Sequence, residues 1–179
     1  RPRSGPVRRL IALGVAVAVA ALVAVLATRP PAQVAEAASP LLGRAAPAIR
    51  GAGLDGTTVD LATMRGEFVL VNFFASWCGP CHTEQPHLIG MSSDVHVVGV
   101  VFQDSSANAL RFLRGGGAHW PAIADPQGAL ALDWGVRGPP ESYLVSPDGT
   151  VVAKVLGPVT ASQVSYLRGV MSRTLRSGQ

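Results

Sequence analysis

Val69-Leu70-Val71-Asn72-Phe73-Phe74-Ala75-Ser76-Trp77-Cys78-Gly79-Pro80-Cys81 carries both cysteines of this 179-residue sequence at the end of an apolar run. Val69–Ala75 is rich in β-branched and aromatic residues, which suits a buried strand. Two cysteines separated by two residues, after a strand and before a helix, read as a redox pair. Cys78 falls at the N-terminus of that helix, where unpaired N–H groups and the helix dipole favour a thiolate. The thiolate is the nucleophile, so Cys78 is the expected attacking sulfur and Cys81, one turn later, the resolving one. Pro80 fits the first helical turn, because its missing N–H has no helical partner there anyway.

Three other readings of Cys78-Gly79-Pro80-Cys81-His82 stay open at this point. Cys-x-x-Cys-His is also the attachment motif of c-type haem, although an apolar strand leads into it and Met64, Met91 and Met171 sit in no evident ligand loop. A metal site can draw on His82 and His87, but structural zinc normally needs a second clustered pair. A static disulfide across two residues staples almost nothing, since stabilisation grows with loop length.

Downstream, His82–Met91 continues as a helix containing Pro86, and Val95–Phe102 forms a second unbroken apolar strand. Ser105 or Ser106 caps a helix that Gly115-Gly116-Gly117 ends. Trp120–Ile123 is extended, and Gln127–Trp134 is a short helix. Ser142–Ser146 and Thr150–Leu156 flank the turn Pro147-Asp148-Gly149 as a hairpin. Thr160-Ala161-Ser162-Gln163 is a capping box, after which Val164, Leu167, Met171 and Leu175 share one helical face. Upstream, Thr57-Thr58-Val59 suggests a short strand and Asp60–Met64 a helical turn. The order predicts an α/β domain, a mixed sheet with helices on both faces, over residues 41–179.

The formal net charge is +4, but its placement argues against nucleic acid. Arg1, Arg3, Arg8, Arg9 and Arg29 precede the first acidic residue, Glu36, and the remainder is close to neutral. No basic cluster interleaved with aromatics follows. Leu10–Thr28 has no charged residue, and as helix it would extend about 28 Å, close to a bilayer core. The arginines ahead of it orient residues 1–9 as a cytoplasmic tail, residues 10–28 as a single-pass anchor, and residues 29–40 as a Pro- and Ala-rich linker. The competing reading is a cleaved signal peptide with Ala35-Glu36-Ala37 as its cleavage site. On either reading the domain is extracytoplasmic.

Trp77-Cys78-Gly79-Pro80-Cys81 is the active-site sequence of the thioredoxin superfamily. Val71–Cys78 resembles the VNFWA(T/S)WC run of the membrane-anchored TlpA/ResA/CcmG (DsbE) group, and Gly135–Glu141 resembles its GVxGxPE segment. The resemblance spans roughly residues 41–172. It implies a thioredoxin-like fold and a thiol–disulfide oxidoreductase with Cys78 and Cys81 as the redox disulfide. It also implies a cis Pro140 facing the dithiol, where an absent donor leaves backbone free to pair with an incoming peptide. Trp77, Pro140 and Glu141 are then the expected substrate contacts.

Thioredoxins proper carry a buried Asp where this chain has Asn72, so Glu84 becomes the candidate for proton exchange with Cys81. Ala75 stands where a peroxiredoxin needs Thr or Ser, which disfavours peroxidase activity. The implied function is a disulfide reductase of exported proteins, acting on apocytochrome c or its maturation factors and recharged by a membrane donor of the DsbD/CcdA type. No cofactor or metal is expected. The alternatives are a disulfide-forming dithiol oxidase, or a non-enzymatic metal or haem carrier using Cys78, Cys81 and His82.

Overall fold

A computed structural model of the chain describes residues 6–27 and 38–177. Residues 1–5 of the basic tail expected at 1–9, and residues 29–37 of the linker expected at 29–40, lie outside the described residues, as do residues 28, 178 and 179. The N-terminal unit holds one helix, α1 (Pro6–Ala27). Among the described residues no helix is long and apolar enough to cross a membrane. The single-pass anchor expected at residues 10–28 is therefore not supported by the described helix, and residue 28 lies outside the described residues.

The second unit is the expected mixed α/β domain. Its strands are β1 (Arg50–Ala52), β2 (Thr58–Asp60), β3 (Val69–Phe74), β4 (His96–Phe102), β5 (Ala122–Asp125), β6 (Glu141–Val145) and β7 (Val151–Leu156). Its helices are α2 (Gly79–Met91), α3 (Ser106–Gly115), α4 (Ala129–Asp133) and α5 (Ala161–Ser177). The central sheet runs β5-β4-β3-β6-β7, with β3, β4 and β5 parallel and β6 and β7 antiparallel to their neighbours. A separate ribbon pairs β1 with β2; β1 carries no apolar alternation, so periodicity does not reveal it.

All six residues of β3 are buried, as expected for a central strand covered on both faces. Side chains alternate across it. Val69, Val71 and Phe73 join Trp134, Tyr143 and Ala131 in one core. Leu70 joins Leu88, Leu144 and Leu167 on the other face, where Phe74 packs with Val101, Ala109 and both cysteines. Asn72 has the parity of Leu70 and Phe74, so it faces α2. The crossovers β3-α2-β4 and β4-α3-β5 travel the same way along the sheet, and right-handedness puts both helices on that face.

Two details differ from the sequence reading. The strand expected at Trp120–Ile123 forms two residues later, at Ala122–Asp125, where it can pair with Gly99–Phe102 of β4. On α5, Leu167 and Val170 are buried, whereas Leu175 is 55% exposed. The apolar face thus ends a turn before the helix does. The capping box forms in part, Thr160 N–H donating to Gln163 Oε1 at 2.9 Å.

Candidate active site

Cys78 is the N-cap of α2, with extended backbone (φ −82°, ψ 105°) and Pro80 in the first turn. Its Sγ accepts the Cys81 N–H at 3.2 Å, one of the donors that a helix start leaves without a partner. Cys78 and Cys81 form a disulfide, with Cα atoms 5.3 Å apart. Cys78 is 4% exposed and Cys81 1%, so the sulfur expected to resolve is the more enclosed of the two. Pro86 lies in the interior of α2, as expected.

The turn ahead of Cys78 is held by the segment after β4. Asp104 Oδ2 accepts the Ser76 N–H at 2.7 Å, and its Oδ1 accepts the Ser105 N–H at 2.7 Å. Burial pushes the Asp104 carboxyl up, but the hydrogen bonds from Ser76 and Ser105 outweigh it and leave the group below its usual value. Trp77 is 59% exposed, and its Nε1–H donates to the Gln103 carbonyl at 3.3 Å. Gln103 takes a φ of +46°, unusual for a residue with a side chain. His82 is exposed, its Nε2 3.2 Å from the Ser76 carbonyl and its ring edge-on to Phe112. Among the described residues no three His, Cys, Asp or Glu side chains gather as a metal site.

Glu84, one turn beyond Cys81, is 1% exposed. Its Oε1 accepts from Asn72 Nδ2 at 2.9 Å and its Oε2 from the Val159 N–H at 3.0 Å. Asn72 Nδ2 also donates to Ser142 Oγ at 3.0 Å. Burial raises the Glu84 carboxyl to about 7, against the opposing pull of those two bonds. Asn72 therefore seats the acid that the sequence reading put in its place.

The Pro139–Pro140 bond is cis. The register Phe73↔Glu141 sets Pro140 at the end of β3 from which the cysteine turn departs. Pro140 is buried. Glu141, expected at the substrate surface, is 3% exposed. Its Oε1 accepts the Arg137 N–H at 2.9 Å, and its Oε2 pairs with Lys154 Nζ at 2.7 Å. The structure thus groups Trp77, Cys78 and Cys81 on one turn, places Pro140 at the same end of the sheet, and turns Glu141 inward.

The sequence reading passed over Asp104, Gln103 and Lys154. Asp104 gave a faint signal, standing with Ser105 directly after an apolar strand. Lys154 gave a clearer one, as a single charge within the apolar run Val151–Leu156.

Residues 41–170 match the family model described as Redoxin. The thiol:disulfide interchange protein CycY of Rhizobium leguminosarum bv. viciae is 49% identical over 102 residues, and the match spans 55% of each chain. The thiol:disulfide interchange protein DsbE homolog of Paracoccus denitrificans is 39% identical over 124 residues, which are 68% of this chain and 69% of that one. The chain thus spans about half the length of the first relative and about two thirds of the second. The crystal structure of the thioredoxin domain of a thiol-disulfide oxidoreductase from Bacteroides vulgatus shares the fold. Its TM-score is 0.66 at 24% identity, covering 74% of this chain and 99% of that one. The chain belongs to the Redoxin family, as a DsbE-like thiol–disulfide oxidoreductase of the thioredoxin superfamily.

Proposed function

We propose that the chain works as a reductase of disulfides in exported proteins, with the Cys-x-x-Cys-His site of apocytochrome c, or a factor that handles it, as substrate. The placement of Cys78 as N-cap of α2 supports thiol–disulfide exchange, while the direction and the substrate follow from the resemblance to the DsbE group. In the dithiol form the Cys78 thiolate is stabilised by the N–H groups at the helix start. It attacks one sulfur of the substrate disulfide, forming a mixed disulfide and releasing the other substrate sulfur as thiolate. Cys81 loses its proton and attacks Cys78 Sγ, which frees the second substrate sulfur and closes the Cys78–Cys81 bond. The substrate gains two electrons and two protons, and the chain loses them.

Glu84 serves as the proton acceptor for Cys81, its carboxyl held near neutrality by burial. Trp77 supplies exposed apolar contact. Pro140 presents the backbone beside it to an extended peptide, and Glu141 supports that segment from beneath. Recharging needs a donor of electrons on the same side of the membrane, by resemblance one of the DsbD/CcdA type, because the surroundings are oxidising. The N-terminal unit would keep the domain at the cell membrane. That part rests on the uncharged run Leu10–Thr28 behind four arginines, and it is checked by whether the chain stays in the membrane pellet after alkaline extraction.

The deciding experiment is equilibration of the Cys78/Cys81 couple with a dithiothreitol redox buffer. A potential below about −200 mV supports reduction as the direction, whereas one well above it makes the chain a dithiol oxidase.

A further inference from the structure

Lys154 stands in β7 between apolar neighbours and is 7% exposed. Its register partner is Tyr143 of β6, so the two side chains share one face of the sheet. That face is the one Phe73 and Trp134 occupy, opposite α2. Lys154 Nζ pairs with Glu141 Oε2 at 2.7 Å, donates to the Gly135 carbonyl at 3.5 Å, and lies 4.9 Å from the centre of the Tyr143 ring. Glu141 Oε1 accepts the Arg137 N–H at 2.9 Å. Tyr143 Oη donates to the Trp134 carbonyl at 2.6 Å.

Three side chains from two strands thus grip the backbone at Trp134, Gly135 and Arg137, the segment that leads to Pro139–Pro140. A buried ion pair with both partners hydrogen-bonded is weak evidence for stability and can instead fix one conformation. Here the atoms it fixes belong to the approach to Pro140. We infer that Lys154, acting through Glu141, is a positioning residue for the substrate-binding segment 134–140. The inference rests on Pro140 being a substrate contact. Lys154 does not touch the cysteines and takes no part in sulfur exchange.

The test compares two substrates of the full chain in its reduced form. One is a synthetic oxidised Cys-Ala-Ala-Cys-His peptide, which needs the binding segment. The other is 5,5′-dithiobis(2-nitrobenzoic acid), a strongly oxidising small disulfide that needs only the thiols. Lys154→Met is expected to raise KM for the peptide about tenfold, the scale of loss from a misplaced binding group, with kcat and the rate with the small disulfide changed less than about twofold. Hydrogen exchange at the amides of 134–138 should quicken in Lys154→Met while β3 stays protected. Lys154→Arg should restore the peptide KM.

If Lys154→Met does not fold, Glu141→Gln serves instead. It keeps an acceptor for Arg137 but loses the charge, and it should show the same KM increase. An unchanged peptide KM, or equal losses with both substrates, overturns the inference. Pro140→Ala separates the two layers. If it leaves the peptide KM unchanged, the contact at Pro140 falls and the inference with it; if it raises KM while Lys154→Met does not, the inference alone falls.

Discussion

Asn72 Nδ2 donates to Glu84 Oε1 at 2.9 Å, joining the middle of β3 to α2 one turn beyond Cys81. The same amide donates to Ser142 Oγ, so β3, β6 and α2 meet at one side chain. An amide cannot take up a proton, yet here it orients a buried carboxyl that can. Both contacts to Glu84 come from donors, which favour the carboxylate; burial favours the neutral acid and prevails, raising the group to about 7.

That balance fixes a pH dependence of stability in the disulfide form. The folded Glu84 binds its proton up to about 7, the unfolded one only to 4.5. Between those values the native state holds a proton that the unfolded state lacks, so stability falls as pH rises through that window and then levels off. The contribution amounts to about 3 kcal/mol. Urea unfolding at pH 5 and pH 8 should show this loss in the parent chain and a flatter profile in Glu84→Gln. A parent chain that is no less stable at pH 8 than at pH 5 would contradict the assignment.

Resolution of the mixed disulfide should follow the same group. In Glu84→Gln the rate of release from a preformed Cys78 mixed disulfide is expected to fall about tenfold to a hundredfold near pH 7. The first attack by Cys78 should change little. Rapid-quench separation of the two steps checks it; an equal loss in both steps would place Glu84 outside the proton path.

Packing under the active-site turn leaves no room at Gly99. A Cβ there would meet Phe74 Cε1 at 2.8 Å and the Ala122 Cβ at 3.0 Å. The Phe74 ring is backed by Phe112 in a stacked contact at 5.4 Å, so it cannot retreat freely. Gly99→Ala should cost about 1–3 kcal/mol of unfolding free energy, measured by denaturant midpoint. A change under about 0.5 kcal/mol would show that the ring gives way.

The fold was legible because its signals are local. Apolar runs gave β3 and β4, Ser105 gave the start of α3, and Pro147-Asp148-Gly149 gave the hairpin. The cysteine pair was legible because its spacing and the strand before it are contiguous in sequence. Asp104, Lys154 and the inward turn of Glu141 were not, since each depends on which side chains the paired strands and turns bring into contact. Lys154 meets Glu141 only once β6 and β7 are paired, and Asp104 meets Ser76 only across the β3–β4 pair. Glu84 was found as a titrating group, but its seat on Asn72 depends on α2 crossing the face to which Asn72 points.

Trp77 is exposed and makes one hydrogen bond at the surface, so Trp77→Ala should leave stability within about 1 kcal/mol. Its loss should fall on recognition, with kcat/KM for an oxidised Cys-Ala-Ala-Cys-His peptide lowered about tenfold and the rate with 5,5′-dithiobis(2-nitrobenzoic acid) nearly unchanged. Equal rates for the variant and the parent with the peptide would remove Trp77 from the contact surface.

The division of labour between the two sulfurs is tested most directly by mass spectrometry of single-cysteine variants mixed with the oxidised peptide. Cys81→Ala should accumulate a one-to-one mixed disulfide through Cys78 that does not resolve, and Cys78→Ala should form no adduct on the same timescale. An adduct on Cys81 in Cys78→Ala, or turnover by Cys81→Ala, would contradict the account.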